Sequence, residues 1–259
     1  MSVFLSTKNY KRAYIWQLPV RFFHWINAWA IVLLIITGFI IADPPAILTN
    51  KEASDIFWMG YVRTIHFISA YAMVAVMIWR IYWAFVGNKF ENWRVFFPLD
   101  KKGVHKMWHV IKYDIFLQNE KEYDFKNISV GHNSVAAFSY LLMFLLALVM
   151  IGTGFAMYAP TSTWFFPKMF GWVSVLFGGD ELKMRMIHHV TMWLFILFII
   201  VHVYLVFFHD WLEGRGETSA MVSGYKFVRS ERVEKGDEEY EEYEDEEAFI
   251  ESIEEKSAG

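Results

Sequence analysis

The chain has 259 residues, of which 56% are hydrophobic and 19% aromatic. That is too apolar for a soluble enzyme of this length, and the apolar residues come in long blocks, so the chain reads as an integral membrane protein. The formal net charge of −4 argues against a nucleic-acid partner. The absence of cysteine excludes disulfides, thioether-attached haem and cysteine-held iron–sulfur clusters.

Four blocks are long enough to span a hydrocarbon layer of ~30 Å: 22–42, 64–86, 133–158 and 187–208. The expected fold is therefore an all-α bundle of four transmembrane helices. The first block is too long and aromatic for a signal-peptide core, and no small-residue cleavage site follows it, so it reads as a permanent helix. Before it lie Lys8, Lys11, Arg12 and Arg21, and the 87–132 loop is rich in lysine, whereas the other two loops carry few cations. By the positive-inside rule both termini face the cytoplasm, giving a multi-pass protein of the bacterial inner membrane. A membrane domain over 1–229 is then followed by an acidic tail over 230–259, too charged to fold on its own.

Two loops hold structure of their own. In the 87–132 loop, His105 and His109 lie four residues apart beside Trp108, a spacing that suits a basic interfacial helix better than a metal site lacking a carboxylate. The stretch 163–177, TWFFPKMFGWVSVLF, is apolar but broken by Pro167 and Gly171. It is too short to span, and reads as an interfacial segment or a docking surface.

Histidines recur inside the apolar blocks, where lipid disfavours them. His24 lies near the cytoplasmic end of the first helix, and His66 near the outer end of the second. On the fourth helix His188 is near the outer end and His202 is fourteen residues further on, ~21 Å deeper and on nearly the same face. His189 is out of phase with His202 by roughly 140°. Two pairs result, His66 with His188 and His24 with His202. Facing imidazoles across a helix bundle are what bis-histidine ligation of haem iron requires, so two stacked haem b groups are expected. Histidines that only bond across helices are the alternative for any single one; four at two matching depths favour haem.

Arg21, Arg63 and Arg185 each stand three residues before one of these histidines, in RFFH, RTIH and RMIH, where they could pair with haem propionates or simply anchor the helices. Gly38 lies fourteen residues after His24, at the outer level, where a missing side chain would admit a porphyrin. Arg80 lies fourteen after His66, near the inner level.

The stretches WQLPVRFFHWINAWAIVLLIITGFII, GHNSVAAFSYLLMFLLALVMIGTGFAMY and HHVTMWLFILFIIVHVYLVFFHDWLEGRGETSAMVSGYKF resemble the b-type cytochrome subunit of membrane-bound nickel–iron hydrogenases. The resemblance covers roughly residues 10 to 228, and DWLEGRGETSAMVSGYKF is its most specific part. It implies large and small hydrogenase subunits on the outer face, with electrons passing through this chain to menaquinone or ubiquinone. The chain would then be the electron-transfer subunit of a hydrogen:quinone oxidoreductase, with no hydrogen-activating site. Other expectations stay open: the cytochrome subunit of a formate dehydrogenase or other quinone-linked reductase, or a haem-free anchor or transporter. His109, His132, Tyr204 and His209 are candidates for a quinone site.

Overall fold

The computed structural model describes residues 10–46, 57–87, 93, 134–213 and 216–229. The expected interfacial helix with His105 and His109, the candidate His132 and the acidic tail lie outside the described residues. Helix α1 is Leu18–Ala42, α2 Trp58–Val86 and α3 Ser134–Tyr158. Two short helices follow, α4 at Phe165–Lys168 and α5 at Gly171–Leu176, then α6 at Glu181–Glu213 and α7 at Glu217–Ser223. Strands β1, Tyr10–Tyr14, and β2, Tyr225–Arg229, pair antiparallel with Tyr10 opposite Arg229 and Tyr14 opposite Tyr225.

Four of the described helices are long and apolar enough to cross a membrane. Three of them, α1, α2 and α6, extend beyond the apolar blocks that mark them in the sequence, while α3 matches its block to within one residue. The largest extension is in α6, which begins at Glu181 and runs past the bilayer-length stretch to Glu213. Its start is set by Asp180, whose carboxylate accepts a hydrogen bond from the Lys183 backbone N–H at 3.1 Å. This capping satisfies an amide that the helix itself leaves open. Gly178 and Gly179, both at positive φ, make the tight turn out of α5 that places Asp180 there.

The distribution of polarity is that of a molecule surrounded by lipid. Large apolar side chains such as Trp29, Ile68, Leu197 and Ile200 are exposed, while Thr37, Ser69, Thr153 and Thr191 are buried. In a hydrocarbon solvent the exposed leucines and isoleucines cost nothing, and polar groups gain by turning inward to find partners. Helices α1 and α2 form one closely packed pair and α3 and α6 another. Rings join the pairs: Phe39 meets Trp193 edge-on at 5.4 Å, and Phe67 stacks on Tyr158 at 4.4 Å.

One end of the bundle is closed by the ribbon of β1 and β2 together with α7. Ile15, Trp16, Val20 and Phe23 pack there against Val76 and Ala220, with Ile15 and Ala220 fully buried. Arg21 donates to the Val222 carbonyl, and the Trp25 indole N–H donates to the Met221 carbonyl at 3.0 Å. The stretch after the fourth helix, without evident purpose in the sequence, thus continues α6, turns, and docks on the start of α1. Among the described residues, the ribbon and α7 are elements that the reading of the sequence did not anticipate.

The opposite end is closed by α4 and α5. Phe166 and Phe170 face inward onto Tyr71 and Phe155, whereas Phe165, Trp172, Val175 and Leu176 remain exposed, as does Trp164 beside Tyr71. The segment forms two short helices, neither long enough to span.

Candidate functional site: two facing histidine pairs

Helix α6 is a single unbroken α-helix from Glu181 to Glu213, so the phase relation between His188 and His202 holds along its length. His188 turns into the bundle against the Thr153 hydroxyl of α3, and His66 of α2 lies at the same level, beside Gly38, which also borders Met192 one turn beyond His188 on α6. His202, fourteen residues further along α6, lies at the level of His24 on α1. The first pair lies in the half of the bundle nearer α4 and α5, the second in the half nearer the ribbon. His189 points elsewhere, its ring edge-on to Phe39 at 6.1 Å and to Trp193 at 6.4 Å.

The two pairs are built differently. His66 Nδ1 lies 2.8 Å from the Thr37 hydroxyl of α1, and His188 Nδ1 lies 2.9 Å from the Thr153 hydroxyl of α3. In the second pair, His24 Nδ1 is buried with no hydrogen-bond partner among the described residues. His24 meets Trp25 edge-on, and His202 stacks on Phe198 at 5.4 Å.

The space around the first pair is kept by two glycines. A Cβ on Gly38 would sit 3.8 Å from His66 Cε1 and 3.6 Å from Met192 Sδ; one on Gly154 would sit 3.2 Å from His188 Cε1. Gly38 therefore borders the histidine pair at the level its spacing from His24 implied. Gly154, Thr37 and Thr153 were not picked out from the sequence. The available signal was the triplet Thr-Gly-Phe, which occurs at 37–39 and again at 153–155.

The arginines diverge. Arg80 is half-buried near the second pair, with its guanidinium carbon 5.5 Å from the Phe23 ring centre. Arg21 is engaged with Val222 as described. Arg63 is exposed. Arg185 is exposed and bonded to Glu181 one turn earlier, through Nε at 3.0 Å and through Nη2, a surface pair of small energetic weight. Of the quinone candidates, Tyr204 is exposed on α6 and stacks on Phe208 at 5.8 Å. His109, His132 and the side chain of His209 lie outside the described residues.

A bundle with paired imidazoles at two depths defines a class, the helical membrane cytochromes of the b type. Residues 15–224 match the family described as prokaryotic cytochrome b561, and the chain belongs to that family. It is 39% identical over 226 residues to the probable Ni/Fe-hydrogenase B-type cytochrome subunit of Cupriavidus necator, covering 85% of this chain and 89% of the relative. It is 34% identical over 226 residues to the probable Ni/Fe-hydrogenase 1 B-type cytochrome subunit of Escherichia coli, covering 85% and 93%. The corresponding protein of Azotobacter vinelandii is 33% identical over 225 residues, covering 85% and 90%.

The residues fit haem b, the group such cytochromes hold. Two imidazoles alone leave most of a metal's coordination sphere open, and among the described residues no group of three or more His, Cys, Asp or Glu could fill it. A porphyrin brings four nitrogens of its own, so one imidazole on either face is all the protein must add. The glycines beside the first pair leave the room.

Proposed function

We propose that this chain is the diheme membrane cytochrome of a hydrogen-oxidising complex, carrying electrons from a nickel–iron hydrogenase outside the cytoplasmic membrane to the quinone pool. Facing histidines at two depths carry this reading: His66 with His188 toward the outer side, His24 with His202 toward the inner side. The relatives' names, which join a B-type cytochrome to a Ni/Fe hydrogenase, supply the electron donor. When bound, each haem b iron accepts and releases one electron without a change of ligands.

The chain's own residues do the rest. His66, His188, His24 and His202 hold the two irons at fixed depths on rigid helices, and Gly38 gives the outer group room. Arg80, half-buried at the inner level, offers a positive charge to a propionate there; Arg21 and Arg63 are placed to do so only by turning from their present positions. Arg185, already bonded to Glu181, serves first as an anchor at the membrane edge. The apolar outer surface of α4 and α5 suits the hydrogenase's large and small subunits, or the lipid beneath them. The ribbon end faces the cytoplasm, in keeping with Lys11, Arg12 and Lys226 there. Quinone, menaquinone or ubiquinone, takes the electrons near the inner pair.

The test uses native membranes holding the assembled complex. Hydrogen gas should reduce b-type haem, seen as a sharp reduced-minus-oxidised band, and then quinone, and the chain should co-purify with the hydrogenase subunits. Haem that responds to dithionite but never to hydrogen would remove the hydrogenase from the account. A chain without any haem band would remove the cytochrome.

A further inference from the structure

Each threonine beside the first histidine pair has one hydroxyl proton and two possible uses for it. Thr37 Oγ1 lies 2.6 Å from the Leu33 carbonyl one turn back on α1, and Thr153 Oγ1 lies 2.6 Å from the Val149 carbonyl on α3. At 2.6 Å two oxygens must share a proton, because lone pairs facing each other at that separation repel. A carbonyl has none to give, so each hydroxyl donates to its carbonyl. What it then offers the histidine is a lone pair, and the ring nitrogens at 2.8 and 2.9 Å must be the donors. A neutral imidazole with its proton on Nδ1 carries its free lone pair on Nε2.

We propose that Thr37 and Thr153 are positioning residues that fix the Nδ1–H tautomer and ring orientation of His66 and His188, presenting both Nε2 lone pairs to one haem iron. The inference rests on the haem reading above and adds residues to it. Both threonines are buried, 5% and 2% exposed, so their bonds compete with no water. The arrangement is built twice, on α1 and on α3, from the same Thr-Gly-Phe triplet. In each copy the threonine holds the ring and the glycine clears the space beside its Cε1. His24 Nδ1 has no such partner among the described residues, so the device belongs to one pair.

An acceptor on Nδ1–H raises the basicity of the ligating nitrogen and favours oxidised iron. The test is a redox titration, with low-temperature paramagnetic resonance of the oxidised state, on the full complex carrying Thr37→Val or Thr153→Val. Valine keeps the shape and removes the hydroxyl; Thr37→Ser and Thr153→Ser restore it. Each valine variant should favour reduction of the same one of two haem components by about tenfold, about 59 mV for a one-electron couple. The other component should not move, and the serine variants should behave as the parent. Loss of that component with valine and its return with serine supports the proposal equally. Unchanged potentials and resonance, shifts falling on different components in the two variants, or serine variants as impaired as valine would overturn it. A parent protein showing no haem components would instead fail the haem reading itself.

Discussion

Adjacent residues on one helix separate the roles that a side chain can have in this bundle. His188 is turned against Thr153 of α3, and His189 toward α1 against Phe39, with Trp193 beside it. His188→Leu should therefore abolish the outer haem, while His189→Leu retains it, measured as haem per chain. The reverse outcome would mean that α6 is rotated by about 100°, one residue. Gly154→Ala places a methyl 3.2 Å from His188 Cε1, and the ring must give way by a few tenths of an ångström. The expected result is a changed low-spin resonance signal of the outer haem at unchanged protein yield. At the membrane edge, the Asp180 carboxyl is held below its ordinary value of 3.8, chiefly by the Lys183 backbone N–H. A depressed carboxylate gives its full capping contribution above the ordinary value and loses it as pH falls through the lowered one. Hydrogen exchange at the Lys183 amide should speed up on such acidification relative to neighbouring turns, and Asp180→Asn should remove that pH dependence. The histidines were legible in the sequence because imidazole is out of place in an apolar block and helical spacing gives depth and phase. The threonines were not, because a threonine in a membrane helix can satisfy itself on its own backbone, and only the coordinates reveal what its lone pair meets.

Among the elements, the ribbon and α7 carry the clearest mechanical prediction. Gly224 has φ +88, and a Cβ there would fall 2.5 Å from Tyr14 Cε2 and 2.8 Å from the Trp16 carbonyl. Its own carbonyl accepts the amides of Ile15 and Trp16 at 2.9 and 3.1 Å. Gly224→Ala combines backbone strain with a clash, at a cost of about 1–3 kcal/mol for the strain alone. The result should be earlier proteolytic cleavage at both ribbon strands and a lowered melting temperature in detergent. Cleavage rates like those of the parent would show that the ribbon does not depend on this turn. The four spans were readable because twenty apolar residues in a row have few other uses. The ribbon was not, since it joins residues some two hundred positions apart through backbone bonds that leave little mark on side-chain pattern. The hairpin of α4 and α5 was half legible: its apolar length excluded a span, but its division into an inward aromatic face and an exposed one needed the fold.

For the whole molecule, charge must cross much of the bilayer if hydrogen is oxidised outside and quinone reduced near the inner pair. Moving one charge through 100 mV costs roughly 2.3 kcal/mol, so an imposed membrane potential should slow hydrogen-to-quinone turnover in sealed vesicles. His24→Leu should stop quinone reduction while hydrogen still reduces the outer haem. Turnover insensitive to potential would put quinone at the outer level instead. All of this rests on the pairing of the histidines, which haem counting in double variants tests most directly. Each single His→Leu variant should keep one haem of two. His66→Leu with His188→Leu removes both ligands of one group and should still keep one haem, whereas His24→Leu with His66→Leu breaks both groups and should keep none. If the first double variant held no haem, or the second held one, the two facing pairs would not be the two haem sites.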